Sequence, residues 1–181
     1  MKIIETEIPD VKILEPAIFS DDRGYFLESW NARSFANGGL NWDFVQDNHS
    51  RSKKNVLRGL HYQLQHAQGK LVRVTAGAVF DVAVDIRRSS PTFGHWVSVE
   101  LSEDNHRMLW IPAGFAHGFL ALRDGTDLAY KCTDFYAAQH ERTIVWNDPD
   151  LAIAWPITMD APLVSPKDAV GLPLKHTETF A

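Results

Sequence analysis

The chain has 181 residues, 45% hydrophobic, 11% aromatic and 23% charged, which is the profile of one ordinary globular domain. With 18 Lys+Arg against 23 Asp+Glu the net charge is −5, so no overall positive field exists to hold a nucleic acid, although a few local cations suffice for a small anion. A single cysteine, Cys132, excludes an internal disulfide and a cysteine-clustered zinc site, and the absence of an apolar leader or of any stretch near the ~20 apolar residues of a membrane span predicts a soluble cytoplasmic protein.

In chain order, strand candidates run over 25–30, 43–47, 71–76, 79–86, 96–101, 107–111, 117–122, 128–135 and 143–146. The clearest is 79–86, where Phe80, Val82, Val84 and Ile86 share one face and Val79, Asp81, Ala83 and Asp85 the other. One short helix is predicted over 31–36, with Asn31 as its cap. Clusters such as Asp22-Arg-Gly24, Asn37-Gly-Gly39 and Pro112-Ala-Gly114 separate the segments. Many short strands, closely spaced, predict an all-β fold, closed or two-sheeted. No composition shift or linker appears, so residues 1–181 are read as one domain, with 156–181 as a tail that wraps the barrel as loop and short helix.

No G-x-G-x-x-G follows a strand, and no P-loop, G-x-S-x-G or H-E-x-x-H is present, which lowers hydride transfer, nucleotide hydrolysis and hydrolase chemistry in rank. Two segments stand out: Val56-Leu-Arg-Gly-Leu-His-Tyr-Gln63 with Gly69-Lys70, and Ile111-Pro-Ala-Gly-Phe-Ala-His-Gly-Phe119. Together they resemble degenerate cupin motifs and imply a jelly-roll β-barrel with short peripheral helices. The second keeps Pro112, Gly114 and His117, while the first keeps His61 but has Gln63 where a second histidine is expected and a lysine in place of an acid. A divalent metal wants several imidazoles and a carboxylate. Here it would find His61, His117 and an amide beside cationic Lys70, so the pocket is read as metal-free and its histidines as available for proton transfer.

The ordered series Arg23-Gly24, Gln46-Asp-Asn-His-Ser50, Arg58-Gly-Leu-His-Tyr-Gln63, Gly69-Lys70, Pro112-x-Gly-Phe-Ala-His117, Tyr130-Lys131, Trp146-Asn-Asp-Pro149 and Ser165-Pro-Lys-Asp168 resembles the dTDP-4-dehydrorhamnose 3,5-epimerases from about residue 3 to 173. The resemblance implies a cofactor-independent isomerase of dTDP-rhamnose biosynthesis. Its substrate is a dTDP-4-keto-6-deoxyhexose, whose C3 and C5 hydrogens flank a ketone and are lost through an enolate. It further implies His61 as base, Asp168 as its orienting partner, Lys70 beside the enolate oxygen and Tyr130 as acid on the far ring face. Removing a donor such as Lys70 typically costs about 10²–10³ in rate. Arg23, Arg58 and Lys167 would meet the diphosphate or nearby sugar oxygens. Gln46, Asp47 and Asn48 would line the deoxyribose and base region, Tyr136 would stack on thymine with Phe19 opposite, and Glu28, Glu141 and His117 would add contacts. The family works as a homodimer whose N-terminal strands cross over, so Arg23 and Glu28 are expected in the neighbour's site.

Taken singly, these residues have plainer readings: His61 as a structural histidine, Lys70 as a solvated strand-edge lysine, Tyr130 and Tyr136 as packing aromatics, Asp168 as a surface turn residue. Arg58, His61 and Gln63 together are harder to explain so, being read as three polar side chains aimed one way into the barrel from one strand. Rival functions are a relative inverting one carbon only, a metal-dependent cupin isomerase or oxygenase, and a cupin that binds a nucleotide sugar without turning it over.

Overall fold

Alternating side chains, cut every few residues by turn formers, leave little room for long elements. The computed structural model, which describes residues 1–181, is built from thirteen short strands and two short helices. The strands are β1 (Lys2–Glu5), β2 (Lys12–Glu15), β3 (Ile18–Asp21), β4 (Gly24–Leu27), β5 (Gln46–Ser52), β6 (Leu57–Gln63), β7 (Lys70–Ala76), β8 (Ala78–Asp85), β9 (Trp96–Ser102), β10 (Met108–Ile111), β11 (Phe115–Ala121), β12 (Thr126–Cys132) and β13 (Glu141–Thr143). A six-stranded sheet, β1-β2-β10-β7-β12-β5, faces a five-stranded one, β13-β6-β11-β8-β9, and β3-β4 stands apart as a hairpin.

Inward residues of both sheets meet in one core, with Val72, Val74, Leu109 and Leu128 facing Val79, Val97, Leu101 and Phe119. The outer face of the five-stranded sheet is covered too. Leu57, Leu60, Val82, Val84 and Leu120 pack there against Leu151, Trp155 and Leu174 of the C-terminal tail. That is why both faces of 79–86 are buried. On the outer face of the six-stranded sheet, Leu14, Leu71, Met108 and Trp110 receive Phe35 of α1 (Ala32–Asn37), and Trp42 stacks on Trp110 at 3.6 Å between centroids.

The predicted helix lies one residue later than read, and Asn31 caps it by accepting from the N–H groups of Arg33 and Ser34. The tail carries α2 (Pro166–Ala169), opened by Ser165, whose hydroxyl accepts the Asp168 N–H. Four differences are physical. Strands β1 to β3, before residue 24, are only four residues each and carry no alternation of buried and exposed positions long enough to mark them: β3 is exposed throughout, β1 is half exposed, and β2 buries only Leu14 fully. The 43–47 segment joins the ladder only at Gln46, because Trp42 and Phe44 turn away into the aromatic cluster under α1. Residues 133–135 of the 128–135 candidate fall past the end of β12, in a rim loop, and of the 143–146 candidate only Thr143 belongs to a strand, β13.

The fourth concerns β6. Arg58 and His61 are three residues apart, so an unbroken strand would send them to opposite faces. Instead the β6–β11 register slips between His117 and Phe119, and Gly59 takes φ +128°, a conformation that favours glycine. A Cβ on Gly59 would lie 2.5 Å from the Cα of Gly118, so the two strands approach closely only because both positions are bare. The slip lets Arg58 and His61 line the same cavity. No helix is long and apolar enough to cross a membrane.

Candidate active site

The jelly roll opens into a polar cavity of about 280 Å³ whose walls come from both sheets. His61 on β6 and His117 on β11 are cross-strand partners in the five-stranded sheet, while Lys70 on β7 and Tyr130 on β12 enter from the other. Sheet pleat decides who points inward. In the six-stranded sheet Lys70, Val72, Tyr130 and Cys132 share the inner face, with Lys70 directly opposite Cys132 in the register.

Asp168 reaches His61 from the tail. Its carboxylate is only 3% exposed and its Oδ1 lies 2.5 Å from His61 Nε2. Burial alone would raise the Asp168 pKa, but the hydrogen bond and charge of His61, with help from Ser165, outweigh it and hold the carboxyl below its ordinary value. The ionised carboxylate accepts Nε2–H, which leaves Nδ1 of His61 as the nitrogen with a free lone pair. His117 is held in the same way. Its Nε2 lies 2.9 and 3.0 Å from the two oxygens of Asp81, a fully buried residue of β8. No three His, Cys, Asp or Glu side chains converge as a metal-holding group.

Lys70 is 8% exposed and makes no direct ion pair. Burial pushes its ammonium pKa down, opposed mainly by Cys132 and then by Glu141 and Asp81 at longer range. Burial likewise pushes the Tyr130 phenol up, with Cys132 and Glu141 adding and Arg58 opposing, so Tyr130 keeps its proton.

At the outer end of the cavity Glu141 joins two groups: the Tyr136 hydroxyl donates to Oε2 at 2.8 Å and Lys167 Nζ lies 2.5 Å from Oε1. Burial would raise the Glu141 pKa, but the hydrogen bonds from Lys167 and Tyr136 and the charges of Lys167 and His61 hold it low. Arg58 is steadied by Nε donating to Ser52 Oγ (3.2 Å) and Nη2 to the Arg51 carbonyl (3.3 Å). Gln46 Nε2 donates to Asn48 Oδ1 at 3.1 Å, and Asn48 contacts Cys132 Sγ.

Eight of the residues singled out in the sequence thus line one cavity, Asn48, Arg58, His61, Lys70, His117, Tyr130, Tyr136 and Glu141, and two more reach it through neighbours, Gln46 through Asn48 and Asp168 through His61. Lys167 joins through Glu141. Four do not. Asp47 alternates with Gln46 and Asn48 along β5, so it points to the outer face, where Lys131 Nζ donates to it at 2.9 and 3.0 Å. Phe19 and Arg23 sit on the β3–β4 hairpin, Phe19 65% exposed and Arg23 held by Asp21. Glu28 accepts from Asn31 and Ser34 at the start of α1. Asp81 was overlooked as a functional candidate, although an acid on the inward face of the 79–86 alternation was its signal.

The family model for dTDP-4-dehydrorhamnose 3,5-epimerase matches residues 5–176. The chain is 58% identical over 181 residues to the dTDP-4-dehydrorhamnose 3,5-epimerase of Pseudomonas aeruginosa, with 99% of each chain covered. The crystal structure of dTDP-6-deoxy-D-glucose-3,5-epimerase from Legionella pneumophila in complex with dTDP-4-keto-L-rhamnose superposes with a TM-score of 0.94 at 54% identity, covering 98% of this chain and 94% of that one. The Bacillus anthracis dTDP-4-dehydrorhamnose 3,5-epimerase, with TDP and PPi bound, gives a TM-score of 0.91 at 47% identity over 95% and 98% of the two chains. Sequence and fold agree over nearly the full length, so this cupin-type jelly roll is an isomerase and belongs to the dTDP-4-dehydrorhamnose 3,5-epimerase family.

Proposed function

We propose that the cavity binds a dTDP-4-keto-6-deoxyhexose and inverts C3 and C5 by removing and returning a proton at each. The supporting observation is that a carboxylate-backed imidazole, His61 with Asp168, lines one cavity with an ammonium and a phenol carried by the opposite sheet. Nδ1 of His61 takes the proton from the carbon next to the ketone. The C–H pair of electrons moves toward C4 and its oxygen becomes negative. Lys70, nearly dry, faces that oxygen as an ammonium in this scheme, where a fixed cation counts for most. Tyr130 gives its proton to the carbon from the other ring face, and the imidazolium and phenolate re-equilibrate through solvent. The ketone itself is the electron sink, so no cofactor enters the scheme.

Arg58 and Lys167 meet the diphosphate, and Gln46, Asn48 and Tyr136 take the nucleoside. The working unit in this reading is a homodimer, in which Phe19, Arg23 and Glu28 of the partner subunit complete the pocket. An exposed hairpin carrying Ile18, Phe19, Tyr25 and Phe26 outward supports such an arm. The reading includes a cytoplasmic location, which one free, buried cysteine suits.

Turnover in D2O with the 4-keto substrate tests the reading. Deuterium is expected at both C3 and C5. Label at one carbon alone selects a single-site epimerase, and tight binding with no label at either selects a non-catalytic binding protein; each result ends the proposal as stated.

A further inference from the structure

Gln63 is a polar β6 residue on the cavity wall that this chemistry leaves unused. It is 5% exposed there, so its amide is a buried polar group that needs partners. Its amide makes three hydrogen bonds, all to loops outside its own sheet. Nε2 donates to the carbonyls of His66 (2.7 Å) and Phe135 (3.2 Å), and Oε1 accepts from the Ala137 N–H (2.8 Å). Gln46, from the opposite sheet, completes the pattern by accepting the Tyr136 N–H at 2.9 Å. The backbone of three consecutive rim residues, 135–137, is therefore gripped by two side chains rooted in different sheets. The Tyr136 ring stays 54% exposed, tied only through its hydroxyl to Glu141.

An exposed aromatic ring on an immobilised backbone is a stacking surface whose ordering cost is met on folding rather than on binding. We infer that Gln63 is a positioning residue for nucleobase recognition: with Gln46 it clamps the 135–137 loop so that Tyr136 presents its ring to the base of the nucleotide. This rests on the proposed stacking role of Tyr136. A glutamine that merely filled the wall would have no need to bracket that tyrosine on both sides.

The test titrates dTDP calorimetrically into the full chain, Gln63→Glu, Tyr136→Ala and the double variant. Glu keeps the length of the side chain and the acceptor for Ala137 but turns both donors into an oxygen that repels the two carbonyls. Gln63→Glu is expected to weaken dTDP about tenfold while kcat at saturating substrate changes by less than about threefold. In the Tyr136→Ala background the same substitution is expected to change affinity by less than about twofold, since no ring remains to be positioned. An unchanged Kd in Gln63→Glu, or equal losses in both backgrounds, overturns the clamp. A Tyr136→Ala protein that binds dTDP like the parent overturns the stacking role instead. Gln63→Met removes all three bonds without adding charge and carries the same cycle if a carboxylate at 63 unfolds the barrel.

Discussion

A charge on Lys70 stands in a place that penalises it. Burial lowers its pKa, so the folded chain binds that proton less tightly than the unfolded chain does. The sign follows: the folded state is disfavoured while the lysine is charged, and the penalty fades as pH rises through the lowered pKa toward the ordinary one. Lys70→Met is accordingly expected to leave the melting temperature at pH 7 equal or higher while kcat falls about 10²–10³-fold. In the parent, kcat is expected to decline on the alkaline side as the ammonium deprotonates, and a decline that survives in Lys70→Arg would remove the lysine from that limb. Asp168→Asn tests the other half of the site. An amide cannot stabilise the imidazolium and can reverse the tautomer, so kcat is expected to drop about 10³–10⁴-fold with dTDP affinity unchanged. A matching loss of affinity would make Asp168 a substrate-binding residue instead. His61 stood out because it shares one short motif with Arg58 and Gln63, whereas the roles of Lys70 and Tyr130 were legible only through the resemblance. Asp168 was legible only through resemblance, since its burial comes from a contact 107 residues away in sequence, with His61. The outward direction of Asp47 was available from alternation alone, because its neighbours Gln46 and Asn48 face in.

Among elements, the C-terminal end of β8 shows how a turn is fixed by one acid. Asp85 is fully buried and accepts from Arg87 through two side-chain bonds, from Ser90 and from Thr92. Burial would raise its pKa, but those bonds bring it down to about 2. A carboxylate lowered on folding contributes stability that is present above its unfolded pKa near 4 and lost as pH falls through about 2. The shift corresponds to about 2 kcal/mol. Asp85→Asn is expected to lose about that much in urea unfolding at pH 7, and the gap between variant and parent should close by pH 2; a gap independent of pH would assign the effect to lost packing instead. The two-sheet architecture was readable because alternation survives wherever a strand has an inner face. The break in β6 was not, since a register slip against β11 depends on which strand lies alongside, and no local pattern records that. The early strands escaped for a related reason: their burial, where they have any, comes from partners far along the chain.

For the whole molecule, the unaccounted surface is the β3–β4 hairpin. Its residues Phe19, Tyr25 and Phe26 are each more than half exposed, an arrangement a lone domain gains nothing from. Phe26→Asp is expected to shift the protein from dimer to monomer in light scattering, with an unchanged β-sheet circular dichroism spectrum and a fall of at least about tenfold in kcat/KM. A monomeric parent, or a monomeric variant with full activity, would leave the arm without a part in the reaction. The groups to which the proposed scheme assigns the chemistry are themselves divided between layers. His61 hangs from one sheet and Lys70 and Tyr130 from the other, and a hydrocarbon filling that includes Val72, Leu128, Val79 and Phe119 keeps the two walls apart. A methylene trimmed from that filling at Val72, Val79 or Leu128, away from the cavity, would alter the gap across which the proposed scheme passes a proton. Turnover number thus doubles as a ruler for how far the layers have settled.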